Sequence, residues 1–160
     1  MNQLAGRLTT IVYAVFFLLV SAVAATDELI IDAEDFEPAA YKGKVLYLDF
    51  WASWCGPCRA TFPLMNDLRQ TYSEDELAIV AVNLDGQRSN ADRFLKQYPA
   101  SFSVLYDPEG VLASRYQLPG MPTSYTYDSH GELVHTHIGF QENDAAVVRE
   151  RLAELLNSKQ

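Results

Sequence analysis

Cysteine is scarce in this chain, which has two in 160 residues, both in the run Trp54-Cys55-Gly56-Pro57-Cys58. Two thiols cannot complete a four-ligand zinc site by themselves, and they cannot form a framework of several disulfides. A domain of this size buries enough apolar surface to fold without such cross-links. The pair is therefore free to open and close a single disulfide, although half of a metal site or an inert bridge would show the same spacing.

Positive charge is scarce as well, because 12 Lys and Arg residues are set against 21 Asp and Glu residues, which gives a net charge of −9 at pH 7. Such an acidic surface argues against nucleic acid and anionic lipid as ligands. The chain also has only three histidines. His135 and His137 alternate along a predicted strand, and we expect them to be surface residues and not metal ligands.

Long hydrophobic runs are missing except near the start of the sequence. There Arg7 is followed by the apolar segment 11–20 and by the small residues of Ser21-Ala22-Val23-Ala24-Ala25, a pattern typical of a cleaved signal peptide. The alternative is an uncleaved N-terminal anchor, for which the apolar stretch is marginally short. We expect residues 1–25 to be a signal peptide, residues 26–160 to form one domain, and the protein to be exported to the periplasm.

The two cysteines follow an apolar run, Val45–Trp51, that predicts a buried strand. If a helix begins at the cysteine run, Cys55 lies at its N-terminus, where unpaired N–H groups and the helix dipole favour a thiolate. Cys58 then lies one turn further on, close enough to attack a mixed disulfide formed at Cys55. This arrangement predicts thiol–disulfide exchange.

One charged residue, Asp49, interrupts the apolar run before the cysteines. A carboxylate on a buried strand is costly unless it is paired, hydrated or protonated, so burial would raise its pKa toward neutrality. Such a group could accept and donate the proton of Cys58 during exchange. The alternative is that Asp49 faces solvent on an edge strand.

Apolar periodicity elsewhere predicts an α/β sandwich, in which a mixed sheet carries helices on both faces. A first short strand is predicted near Leu29–Ile31, and the turn Asp128-Ser129-His130-Gly131 predicts a hairpin. The predicted helices cover about residues 55–72, 91–98, 111–116 and 142–156, and the other predicted strands cover residues 77–84, 102–106, 123–127 and 133–138.

Four separated features of the sequence resemble the thioredoxin superfamily in order and spacing. They are the run Asp49–Cys58, Pro63 in the following helix, the loop Gly120-Met121-Pro122-Thr123, and Gly139. The resemblance covers about residues 30–157 and implies a thioredoxin-like fold with a cis Met121–Pro122 bond beside the cysteines. The segment 83–122 is too long for a plain thioredoxin and resembles the TlpA-like thiol:disulfide reductase branch, with an extra βα insertion before the cis-proline loop.

The same resemblance implies a periplasmic reductant of protein disulfides, with no cofactor beyond the Cys55–Cys58 pair. Cys55 would attack the client disulfide, Cys58 would resolve the mixed disulfide, and Asp49 would move the proton. The Gly-Pro dipeptide between the cysteines implies a potential of about −270 mV, as in thioredoxin. A reductant in an oxidising compartment implies a membrane electron donor of the DsbD type. The residues expected to shape the client-binding surface are Trp54, Gly56, Pro57, Met121, Pro122 and Thr123.

Two positions depart from the family pattern. Thr61 stands where reductants of cytochrome c precursors often have Glu, which weakens a specific assignment to cytochrome c biogenesis. Ala81 stands where thioredoxins usually place a Lys near the buried Asp, so Asp49 is expected to lack a charge partner. The clients left open are cytochrome precursors, a sulfur-oxidation partner and a general pool of protein thiols.

Three other functions remain as alternatives. A protein of the same fold could catalyse the reverse reaction, as a disulfide oxidant or isomerase. A reduction potential of the cysteine pair near −120 to −180 mV would support this alternative. A Cu(I)-binding module could use Cys55, Cys58 and Met121 as soft ligands. A peroxidase is the third, although Ala52 stands where peroxiredoxin-like sites have Thr.

Overall fold

The computed structural model describes residues 33–157. The predicted signal peptide, residues 1–25, and the predicted strand near Leu29–Ile31 lie outside the described residues. The described chain opens with two 3-10 turns, Ala33–Asp35 and Pro38–Tyr41. These turns lead directly into the first strand of the sheet.

Within residues 33–157, five strands form a mixed sheet at the centre of the fold, with the strand order β3-β2-β1-β4-β5. The parallel pairs are β1 with β2 and β2 with β3, whereas β4 runs antiparallel to both β1 and β5. Every residue of β1 and β2 is buried, because both faces of the central strands are covered. The strands are β1 Val45–Trp51, β2 Leu77–Asn83, β3 Ser103–Tyr106, β4 Thr123–Tyr127 and β5 Leu133–Ile138.

Four helices of the described residues cover the sheet: α1 Cys58–Thr71, α2 Arg88–Gln97, α3 Val111–Arg115 and α4 Asp144–Asn157. One hydrophobic cluster joins Trp51 of β1 to Phe62, Phe94 and Leu152 of α1, α2 and α4. A second cluster contains Leu48 and Phe50 of β1, Leu112 of α3, and Ala33 of the first 3-10 turn. Successive β1 side chains point to opposite faces, so α1, α2 and α4 lie on one face and α3 on the other.

The α/β sandwich with helices on both faces is confirmed. The βα insertion is also present, since β3 and α3 lie between α2 and the loop before β4. The predicted start of the first long helix, about residue 55, is wrong, because α1 begins at Cys58 and Pro57 is its N-cap. A proline disfavours the helical conformation at the residue before it, here Gly56. The chain before Pro57 forms tight turns, with the Cys55 N–H donating to Ala52 O.

Candidate active site

The two cysteines form a disulfide at the N-terminus of α1. Their Cα atoms are 5.4 Å apart, and the backbone N–H of Cys58 points at the Cys55 sulfur over 3.3 Å. Cys58 is completely buried, whereas 5% of Cys55 is exposed. Cys55 is therefore the sulfur that a second molecule can reach, and the N–H aimed at it favours negative charge there when the pair is reduced.

Asp49 lies on the central strand β1, on the face that α1 covers, and is 1% exposed. Its neighbours in the sheet are Ala81 on β2 and Ser124 on β4. No lysine, arginine or histidine of residues 33–157 forms an ion pair with it. Burial raises the pKa of Asp49 to about 8, against a weaker opposing effect of the Thr61 hydroxyl. The alternative of a solvent-facing Asp49 on an edge strand is wrong, because β1 is the central strand and the side chain is buried.

Thr61 connects Asp49 to the cysteine turn, a contact that the sequence did not reveal. Its hydroxyl lies 3.3 Å from Asp49 Oδ2 and 3.0 Å from the carbonyl oxygen of Cys58. Thr61 is itself 1% exposed. A hydroxyl has one hydrogen to donate. Thr61 can therefore make a strong hydrogen bond to the carboxylate or to the carbonyl, but not to both at once.

The loop before Cys55 is held by Asp85, a buried carboxylate just beyond β2. Asp85 accepts hydrogen bonds from the Ser53 N–H at 2.9 Å and from the Ser53 hydroxyl at 2.7 Å. The Asn83 side-chain amide donates a third bond, at 2.8 Å. This anchor was missed in the sequence, where the one available signal was an Asn and an Asp at the end of a buried strand.

The loop before β4 forms the other wall of the site. The Met121–Pro122 bond is cis, as predicted. The Pro122 carbonyl accepts a hydrogen bond from the Gly139 N–H at 2.8 Å, and Gly139 has a φ of +81°, which favours glycine at that position. The Thr123 hydroxyl donates to Gly120 O at 2.8 Å.

A groove with a volume of about 570 Å³ runs between the cysteine turn and this loop. Trp54 forms part of its rim and is 68% exposed. Pro122 and Thr123 are buried behind the groove and do not line it. The residues that line it are Trp54, Cys55, Gly56, Pro57, Leu118, Gly120 and Met121. Four residues predicted to shape the client surface, Trp54, Gly56, Pro57 and Met121, are thus brought together beside Cys55.

The histidines of β5 do not line the groove beside Cys55. His137 Nε2 is 3.2 Å from a carboxylate oxygen of Asp144, and the pKa of Asp144 is lowered, chiefly by the Gln141 N–H and also by His137. Within residues 33–157, no three or more His, Cys, Asp or Glu side chains are grouped so that they could hold a metal ion. In the same range, no helix has the length and apolar character needed to cross a bilayer.

Comparison with known proteins links this geometry to one family. The profile of the Redoxin family matches residues 23–152. The chain is 38% identical over 103 residues to the thiol-disulfide oxidoreductase ResA of Oceanobacillus iheyensis, a match that covers 64% of this chain and about half, 54%, of that relative's length.

Two solved structures are similar over most of their length. One is described as the thiol:disulfide interchange protein DsbE of Chlorobium tepidum, with 43% identity and a TM-score of 0.70 over 73% of this chain and 83% of that one. The other is the exposed lipoprotein thioredoxin Etrx1 of Streptococcus pneumoniae, with 34% identity and a TM-score of 0.60 over 75% of this chain and 91% of that one.

Proposed function

This chain belongs to the Redoxin family, and on that premise we propose that it is an extracytoplasmic thiol–disulfide oxidoreductase that reduces protein disulfides. The observation that carries the proposal is the Cys55–Cys58 disulfide at a helix N-terminus, with the buried Asp49 on the strand beneath it. The resemblance of the sequence to the TlpA-like branch is consistent with its similarity to the proteins named ResA and DsbE. The chain needs no other redox group for this reaction.

The reduced protein starts the reaction with the more exposed cysteine. The Cys55 thiolate attacks one sulfur of the client disulfide, forms a mixed disulfide and releases the other client sulfur as a thiolate. The Cys58 thiolate then attacks Cys55 Sγ, which closes the Cys55–Cys58 bond and releases the second client thiolate. Two electrons and two protons pass to the client, and the protein ends in the oxidised form described above.

Asp49 takes the proton that Cys58 must lose before it can attack. With a pKa of about 8, the carboxyl group can be both a proton acceptor and a proton donor near neutral pH. Thr61 contacts both the carboxylate and the Cys58 backbone, which supports a role for Asp49 in the proton transfer of Cys58. In the reverse reaction the same carboxyl group returns the proton to Cys58.

The groove beside Cys55 receives an extended segment of the client. Its walls combine the exposed ring of Trp54 with Leu118 and Met121, which supply apolar contact. The backbone of the cis-Pro122 loop offers polar groups to a client strand, a form of β-strand addition. The buried residues Pro122 and Thr123 lie behind the groove and pack beneath this loop.

The direction of the reaction rests on the Gly56-Pro57 dipeptide, which is the thioredoxin sequence between the cysteines. A reductant outside the cytoplasm must be re-reduced, and a membrane donor of the DsbD type is the proposed source of electrons. The likeness to an exposed lipoprotein thioredoxin supports an extracytoplasmic site of action. Thr61, in place of the Glu of cytochrome c reductants, favours a broader set of client disulfides.

The equilibrium potential of the Cys55–Cys58 pair tests the proposal. The protein would be equilibrated in a series of glutathione or dithiothreitol buffers, and the fraction of disulfide would be measured by alkylation and mass spectrometry. We expect a value of about −270 mV, that of thioredoxin. A value above about −200 mV would instead establish an oxidant or isomerase of exported proteins.

A further inference from the structure

A second depression, which we call the arginine pocket, borders the cysteine turn and has a volume of about 340 Å³. Ser53, two residues before Cys55, and Arg59, directly after Cys58, form one side of it. It shares no lining residue with the groove of Trp54 and Met121. The remaining lining residues come from α2 and its C-terminus: Asn90, Arg93, Phe94, Gln97 and Tyr98.

Neither arginine of this pocket has a carboxylate partner among residues 33–157. The Arg93 guanidinium donates one hydrogen bond, to the neutral amide oxygen of Asn90 at 2.7 Å. The Arg59 guanidinium makes no hydrogen bond or ion pair with any other residue of the described range 33–157. The acidic residue of α2, Asp92, lies 3.7 Å from Arg88 instead.

Three of the other five arginines among residues 33–157 lie beside an acid, whereas Arg69 donates to backbone carbonyls and Arg151 forms no ion pair. Arg115 pairs with Glu37 at 3.1 Å, and Arg149 pairs with Asp67 at 2.9 Å. In a protein with 21 acidic and 12 basic residues, two unneutralised guanidinium groups in one depression are a local positive site on a negative surface. Such a site attracts negatively charged groups over short range.

Arg59 adds to this positive potential through its place in the fold. It is the second residue of α1, and the first turn of that helix contains no acidic residue. The N-terminal end of a helix already favours negative charge, so a cation there is unfavourable unless an anion binds nearby. Guanidinium groups hold carboxylates in a two-bond geometry, and the side-chain amides of Asn90 and Gln97 offer further donors.

We propose that the arginine pocket binds an acidic side chain of the client polypeptide, close in the client sequence to the cysteine that reacts. The inference rests on the proposed function and names its preferred substrate class, protein disulfides flanked by Asp or Glu. A client that reaches Cys55 through the groove contacts the same 53–59 segment that borders the pocket. A carboxylate bound there offsets the repulsion that the overall negative charge imposes on acidic clients.

The test compares matched peptide disulfides with wild-type and variant protein. Each peptide carries one Asp, placed one to four residues before or after the reacting cysteine, and has a twin with Asn at that place. Arg93 is the residue to change, since it is separated in sequence from the cysteines. Arg93→Gln and Arg93→Glu remove and reverse the charge, and Arg151→Gln removes a charge of α4 that does not line the pocket.

We expect wild-type protein to reduce the best Asp peptide with a kcat/KM about threefold to fivefold above that of its Asn twin, the range of one partly exposed ion pair. Arg93→Gln should abolish the preference, Arg93→Glu should reverse it, and Arg151→Gln should keep it. The Asn twin should react alike with wild-type protein and Arg93→Gln, which shows that the variant is folded and active. The preference should shrink as salt is added.

Equal rates for Asp and Asn twins in wild-type protein would overturn the inference while leaving the proposed reductase function intact. Failure to reduce any peptide would reject the proposed function itself. Oxidised glutathione, which carries carboxylates of its own, serves as a further substrate. If Arg93→Gln slows its reduction and leaves every peptide pair unaffected, the pocket serves small anionic disulfides, and the assignment to polypeptide clients is wrong.

Discussion

The hydroxyl of Thr61 donates to a carboxylate oxygen of the buried Asp49 over 3.3 Å. This is the one side-chain hydrogen bond that Asp49 makes among residues 33–157. It stabilises the charged form of Asp49 and so opposes burial, which destabilises that form. The balance leaves the pKa of Asp49 at about 8, in the range where a proton acceptor for Cys58 is useful.

Thr61→Val removes that donor and keeps the shape of the side chain. We expect the pKa of Asp49 to rise above about 8, by up to about one unit for the loss of one hydrogen bond. The ascending limb of the pH profile for exchange, where Asp49 loses its proton, should move to higher pH by the same amount. The measurement is the second-order rate of client reduction between pH 6 and 10, with Thr61→Ser as the control that keeps the hydroxyl. A profile that stays in place would show that Thr61 does not influence the proton transfer.

Asp49→Asn removes the group that accepts the Cys58 proton. We expect slower exchange near neutral pH, by about 100-fold for the loss of a general base, and the loss of the ionisation near pH 8 from the rate profile. Stopped-flow measurements of the second step, release of the mixed disulfide, would follow the effect directly. A wild-type rate and profile in Asp49→Asn would remove Asp49 from the mechanism.

The same substitution should change how stability depends on pH. The pKa of Asp49 is raised by folding from 3.8 to about 8, so the folded state holds its proton more tightly than the unfolded state. The contribution of this group is therefore fully present below about pH 4 and is lost as the pH rises toward 8. Asp49→Asn should gain stability relative to wild type across that interval, measured by urea unfolding of the oxidised proteins at pH 5 and pH 8. A constant difference between the two proteins would contradict the raised pKa.

The sequence predicted the elements that local pattern determines. The continuous apolar runs at 45–51 and 77–84 predicted the two central strands, because burial on both faces leaves no polar alternation. The family motif also predicted the cis Met121–Pro122 bond. The start of α1 was missed by three residues, since it depends on how Pro57 and the turn before it place the backbone.

Sequence patterns did not predict the contacts between segments that are far apart in the sequence. Ser53 and Asp85 are 32 residues apart in sequence, and Arg59 and Arg93 line the same pocket although they belong to different helices. Each of these residues looks like an ordinary surface polar residue in the sequence. Their juxtaposition follows from the strand order β2-β1 and the packing of α1 and α2 on one face.

The anchor between Asp85 and Ser53 should be measurable in stability. Ser53→Ala removes one of the hydrogen bonds to Asp85 and should lower the free energy of unfolding by about 1 kcal/mol. Asp85→Ala also leaves the Ser53 N–H and the Asn83 amide without their acceptor, and should cost about 2–3 kcal/mol. Urea unfolding measures both, with Asp75→Ala, at an exposed aspartate, as the control. Equal stability of Asp85→Ala and Asp75→Ala would show that the anchor does not hold the loop.

The different exposure of the two sulfurs predicts which cysteine a client bonds to. Cys58 is fully buried and Cys55 lies at the groove, so the client disulfide meets Cys55 first. Cys58→Ser removes the group that resolves the intermediate and should accumulate mixed disulfides through Cys55. Cys55→Ser, the matched control, should accumulate few or none, because its remaining thiol is inaccessible. Non-reducing electrophoresis and mass spectrometry of the linked peptides would identify the bonded cysteine. Adducts on Cys58 in Cys55→Ser, at the level seen for Cys58→Ser, would mean that the helix start opens in solution and that burial does not select the nucleophile.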